Sequence, residues 1–159
     1  MKNHGTEQHG TSHYGRLLAM TAVSFVAMYI LMYAMVDRFA NVYSSFNQVY
    51  MAGLMSAAMV AIELVVMGGM YPNKKLNVIL VAGSLLALAA FFIFIRQQTA
   101  IGDRQFARSM IHHHSGAILM CQQATLQDPE LKRLCAEIVR GQQEEIEQLT
   151  RKLRELNAH

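Results

Sequence analysis

Three long apolar runs dominate the first two thirds of this chain, at residues 17–36, 49–70 and 76–95. Each is long enough to cross a ~30 Å hydrocarbon core as a helix. The connections between them, residues 37–48 and 71–75, are short. A polar lead-in of 16 residues precedes the first run, which is longer than a secretory apolar core and is not followed by an A-x-A-like site. The pattern therefore predicts a retained three-helix membrane anchor over 17–96 rather than a cleaved leader.

Beyond residue 96 the pattern changes to mixed charge with a helical period. Gly102-Asp103 breaks from the third span and offers an N-cap, and a helix follows to about residue 126. Asp128 and Pro129 read as the N-cap and first position of a second helix that runs to about residue 156. At 100° per residue, Phe106, Met110, His113, Ala117, Met120 and Ala124 of the first helix share a stripe, with His114 and Cys121 on its shoulder and His112 opposite. The second helix presents Leu131, Leu134, Cys135, Ile138, Leu149, Leu153 and Leu156, interrupted by Gln142 and Glu145. The fold class is all-α, with three transmembrane helices followed by a helical hairpin over 103–156. Two helices bury an apolar face poorly, so the hairpin is expected to complete a four-helix bundle as a symmetric homodimer.

Composition supports this division. The 159 residues are 53% hydrophobic and 16% charged, too apolar for an ordinary soluble domain. The net charge of +3 comes without a basic tract, so no nucleic-acid partner is expected. Residues 1–16 hold His4, His9 and His13 among small polar residues and read as a disordered tail, with metal collection a second use. Lys2, Arg16, Lys74 and Lys75 flank one side of the spans, and Arg38, Arg96, Arg104 and Arg108 the other, so charge bias leaves the orientation undecided.

Candidate chemistry concentrates in the hairpin. Folding it about Asp128 sets Cys121 opposite Cys135, His114 opposite Gln142 and Ile111 opposite Glu145. One layer then gathers Met110, His113, His114, Gln142 and Glu145, and the next gathers Met120, Cys121 and Cys135. Core-facing imidazoles beside soft sulfur ligands point to a metal, most naturally Cu(I). A hydrogen-bonded His–Glu–Gln network that fixes bundle register is the alternative. The two cysteines suit a disulfide, a ligand pair or plain core filling. In the second span Met51, Met55, Met59, Glu63 and Met67 recur every four residues, as a packing face or as a soft-ion ladder. An intramembrane Glu63 is costly, and Ser24 and Ser84 are expected at its depth, as a polar clamp or an ion site.

The string Asp103-x-x-Phe106-x-x-x-Met110-Ile111-His112-His113-His114-Ser115-Gly116-Ala117-Ile118-x-Met120 resembles the signature D-x-x-F-x-x-x-M-I-P-H-H-x-G-A-I-x-M of the domain of unknown function 305 family. The second helix is similar as well, through Asp128-Pro129-Glu130-Leu131 and Ile138-x-x-x-Gln142-x-x-Glu145-Ile146. The resemblance covers about 103–153. It implies a ferritin-like helical bundle and a link to copper, since some exported members bind that metal. It maps the paired histidines to His113 and His114, the methionines to Met110 and Met120, and the polar positions to Asp103, Gln142 and Glu145. The family's usual proline is His112 here, and a late methionine is Leu149, which weakens the copper carry-over.

The expected function is that of a membrane-anchored copper-binding protein in metal homeostasis, with the bilayer, a second copy and a metal-transfer partner as its associates. The hairpin is placed on the periplasmic or extracellular side of the inner or plasma membrane because relatives are exported. No catalytic set is present. A di-iron oxidase would use Glu-x-x-His on its helices, and the chain has none.

Overall fold

A computed structural model describes the backbone of residues 5–158 and the side chains of residues 13–158. Among the described residues the chain is all-helical, in the order α1 Gly5–Leu31, α2 Phe46–Val66, α3 Lys74–Gln97, α4 Asp103–Gln123 and α5 Pro129–Ala158. Three stretches, His13–Met35, Phe46–Val66 and Lys74–Gln97, are long and apolar enough to cross a membrane. The polar lead-in differs from expectation: α1 already begins at Gly5. Extending a nucleated helix adds one hydrogen bond per residue, so an apolar span can carry helix into a weak polar sequence. His4 and the side chain of His9 lie outside the described residues.

The chain divides into two compact units. One, the membrane unit, comprises Val49–Thr99 and α1 up to Ile30; the other, the hairpin unit, comprises Leu31–Gln48 and the chain from Ala100 onward.

In the membrane unit α2 ends at Val66, four residues before the apolar run does, because Gly68-Gly69 lets the chain turn. Asn73 caps α3 through its side chain, which accepts from the Leu76 amide at 3.0 Å. Leu17, Leu64 and Tyr71 form the buried centre at this end, with Val60, Leu80 and Val81 against it. Further along, Gly53 of α2 lies against the Phe91 ring of α3. A Cβ there would fall 2.5 Å from the ring, so only glycine permits this approach.

In the hairpin unit α4 and α5 pack along their length around Ala107, Ile111, Ile118, Ile146 and Leu153. Ile111 and Ile118 are fully buried, each contributing roughly 1.5–3 kcal/mol. Asp128 caps α5 as expected, accepting from the Glu130 and Leu131 amides at 2.9 Å each. Cys121 and Cys135 form a disulfide across the turn, with Cα atoms 5.2 Å apart. The anticipated hairpin register therefore holds at this level.

The segment Leu31–Gln48, which runs into the first residues of α2, is part of this unit, which the hydropathy pattern does not reveal. It carries two 3₁₀ turns, Met32–Met35 and Phe39–Asn41. Its residues clasp the side of α4. Ser115 donates to the Asp37 carboxylate, and the Asp37 amide donates back to Ser115 Oγ at 2.8 Å. Asn47 donates to Ser109 at 2.8 Å, and the Phe46 amide to Gln105 at 3.0 Å. Gly116 lets the backbone approach; a Cβ there would meet the Met35 carbonyl at 3.4 Å.

Candidate metal centre

The clasp rotates α4 relative to the expected stripe. Its buried line is Ala107, Ile111, His114-Ser115 and Ile118, and not Phe106, Met110, His113, Ala117, Met120 and Ala124. Phe106 and Met120 are 51% and 55% exposed, and His113 is exposed too. The displacement is about one residue, or 100°. Methionine and histidine resemble a core stripe by polarity. The small residues Ser109, Ser115 and Gly116 mark the true contact with residues 31–48.

The three histidines thus take three environments. His114 is buried, with 8% exposure. Its Nε2 lies 3.1 Å from Glu145 Oε2. Burial pushes its pKa below the ordinary imidazole value, helped by His113 and opposed by the Glu145 charge and by Gln142, whose side chain hydrogen-bonds the imidazole when it carries the extra proton. His113 stays outside, its ring 6.1 Å from that of His114. The helical period places His112 towards solvent. It is instead half-buried, edge-on to Tyr33 at 5.5 Å, and its pKa is lowered by burial and then by His113.

Glu145 holds the key to the His114 tautomer. An ionised carboxylate only accepts hydrogen bonds, so the Nε2 facing it carries the proton in neutral imidazole. Nδ1 is then a bare lone pair. It is buried and has no hydrogen-bond partner, and the same is true of Gln142 Oε1 on the adjacent side chain. Two buried acceptors with no donor are unfavourable unless a cation, a proton or a metal, joins them. The arrangement is that of a ligating imidazole whose far nitrogen is oriented by a carboxylate.

His114 and Glu145 also line a groove of about 530 Å³ between α4 and α5, with Phe106, Met110, Gln148, Leu149 and Lys152. Met110 therefore lines the same groove as His114. Glu145 does so from the rim, with its side chain 54% exposed rather than buried. Other expected residues are not brought in. Met120 lies six residues along α4 from His114, about 9 Å. Asp103 is exposed at the first position of α4, 11 residues or about 16 Å away, so it supports nothing at this layer. Cys121 and Cys135 are joined in their disulfide and have no thiolate to offer a metal. Among the described residues, no three His, Cys, Asp or Glu side chains converge as a metal site within one chain.

The intramembrane site is also rearranged. Glu63 Oε1 accepts from the Tyr71 hydroxyl at 3.1 Å. Tyr71 in turn packs on Tyr14 at 5.3 Å, and Tyr14 donates to Asn77 Oδ1 at 2.6 Å. His13 meets the edge of Tyr71 at 6.4 Å. Ser84 bonds its own helix, to the Leu80 carbonyl at 2.8 Å. Tyr71, from the loop after α2, is thus the side chain bonded to Glu63, a partner not anticipated beside Ser24 and Ser84. The early end of α2 places Glu63 one turn from the helix terminus, where a tyrosine from the following loop rather than a span serine reaches it.

The family model for a domain of unknown function, DUF305, matches residues 48–153. The chain belongs to the DUF305 family. The match reaches well beyond the hairpin signature, into α2 and α3. The chain is also 30% identical over 136 residues to uncharacterized protein L153 of Acanthamoeba polyphaga mimivirus, covering 84% of this chain and 88% of that protein. No solved structure matches it.

Proposed function

We propose that this DUF305 protein is a membrane-anchored metal-binding protein whose hairpin holds a soft ion, copper as Cu(I), for buffering or handover. The observation that carries the reading is the pair of buried acceptors, His114 Nδ1 and Gln142 Oε1, left without a donor while Glu145 fixes the opposite nitrogen. Met110, in the same groove, adds a thioether, the ligand type that favours Cu(I). These residues fit the ion as an incomplete set of one imidazole, one amide oxygen and one thioether. A second hairpin seated on the open groove would bring the same three groups and bury Phe106 and Leu149. The homodimeric four-helix bundle is therefore part of the proposal. The disulfide supports a hairpin facing an oxidising, non-cytoplasmic compartment.

Purified full chain titrated with Cu(I) against a chromophoric competitor tests this. Stoichiometric binding is expected, with at least a hundredfold loss in His114→Ala and a smaller loss in Gln142→Leu. His113→Ala is expected to change affinity little, because that ring lies outside. Equal binding by the parent and His114→Ala would refute the assignment. So would a protein that binds no copper; the buried polar layer would then serve bundle register.

A further inference from the structure

The methionines of the membrane unit are not explained by the hairpin. Met51, Met55, Met59 and Glu63 follow one i, i+4 row of α2, and Met67 continues it just past the helix end, its amide donating to the Glu63 carbonyl at 2.8 Å. Such a row is a continuous ridge on a helix surface, with successive Cβ atoms roughly 5–6 Å apart. From Met51 to Glu63 it rises about 18 Å, over half of a ~30 Å hydrocarbon core. The bundle interior is served by other residues, Ala52, Ser56, Ala61 and Leu64. Met51, Met55 and Met67 stay partly exposed, and Met59 and Glu63 are half-buried, so the sulfurs line an accessible flank and are not core filling.

Apolarity alone does not call for methionine here. α3 is the more hydrophobic helix, with mean hydropathy 2.9 against 2.0 for α2, and it contains no methionine. Leucine, isoleucine, alanine and phenylalanine meet the membrane requirement there. Near the C-terminal end of α2 the row also carries a carboxylate, which accepts from the Tyr71 hydroxyl.

We infer that this ridge is a relay of weak sites for a soft monovalent cation, Cu(I) or Ag(I), leading along the α2 span from Glu63 to Met51. Neighbouring thioethers one turn apart supply two-coordinate sites for such an ion, which accepts sulfur ligands and low coordination number. No thiolate or imidazole lies on the row, so each site binds loosely and releases to the next. Glu63 supplies a carboxylate oxygen beside the first site. The inference draws on copper as the ion of the hairpin but requires none of the hairpin's residues.

The test is Ag(I) entry into phosphatidylcholine vesicles that contain the full chain and enclose a silver-sensitive dye. Entry at least tenfold faster than into protein-free vesicles is expected. Met51→Leu/Met55→Leu/Met59→Leu should return the rate to the protein-free level, while circular dichroism stays unchanged because Met→Leu conserves volume. Glu63→Gln should slow entry several-fold. His114→Ala should leave entry unchanged, which separates the ridge from the hairpin. If the hairpin binds no copper while entry still depends on the methionines, the relay stands alone. Wild-type entry no faster than leakage, or a triple variant as fast as wild type, overturns the relay.

Discussion

The two units treat buried polar atoms in opposite ways. In the membrane unit Tyr14, Tyr71, Asn77 and Glu63 satisfy one another in a connected set. In the hairpin unit lie all four buried side-chain atoms without a partner among the described residues: Gln48 Nε2, His112 Nδ1, His114 Nδ1 and Gln142 Oε1. An unmet polar group in hydrocarbon costs several kcal/mol with no water to relieve it. A water-exposed hairpin can keep one open for a ligand. On the reading proposed above, these unpaired groups are the ones a metal ion would meet.

Four experiments bear on this contrast. The largest effect is expected at the disulfide that holds the hairpin's open layer in register. Cys121→Ser/Cys135→Ser should destabilise the hairpin by about 3 kcal/mol, the cost of freeing a loop near 15 residues, seen as a lower Tm by circular dichroism. Next, Tyr71→Phe leaves Glu63 without its donor and should cost about 1–3 kcal/mol. A smaller penalty than that of any exposed tyrosine would show that the membrane unit is not built on satisfied pairs.

The third is a pH series. His112 and His114 have lowered pKa values in the folded chain, so below the ordinary imidazole value the unfolded chain binds more protons. Stability is therefore full above that value and declines as pH falls through it. The Asp37 carboxyl adds to the decline at lower pH. Burial raises its pKa, but hydrogen bonds from Ser115, Asn41 and Arg38 outweigh this and leave it below its ordinary value. Tm should thus be lower at pH 5 than at pH 7.5, and His114→Gln should flatten the slope. An unchanged slope would mean that His114 is not held neutral by burial. The smallest effect is the most diagnostic. Gln142→Leu removes an acceptor that has no donor, so apo stability should be unchanged or rise by up to about 1 kcal/mol, while metal binding weakens. A clear loss of apo stability would show that Gln142 is already satisfied.

Much of the architecture is legible because it rests on local rules. The apolar runs, the Asp128-Pro129 helix start and the Cys121–Cys135 level follow from segment length, capping and hairpin register. The family signature places His114, Gln142, Glu145 and Met110 in one neighbourhood. Local rules fail where a non-local contact intervenes. By hydropathy residues 31–36 look like the end of a span and residues 37–48 like a bare connection, which gives α4 one packed face where it has two. That missing face exchanges His112 with His113 and puts Met120 inside. Likewise, matching Glu63 by depth to Ser24 and Ser84 overlooks Tyr71, which the turn after α2 brings to the carboxylate.

From the amino acids alone it follows that the chain is helical, where its membrane-length segments lie, how the hairpin closes and which residue types can bind a soft ion. Periodicity, caps and hydropathy act over a few residues and need no partner. The tertiary structure decides which histidine is buried, which nitrogen is left bare and which carboxylate orients it. Those depend on the rotation of α4 between α5 and the Asp37–Ser115 clasp. Residues 78 positions apart set that rotation, and a helical period cannot report it.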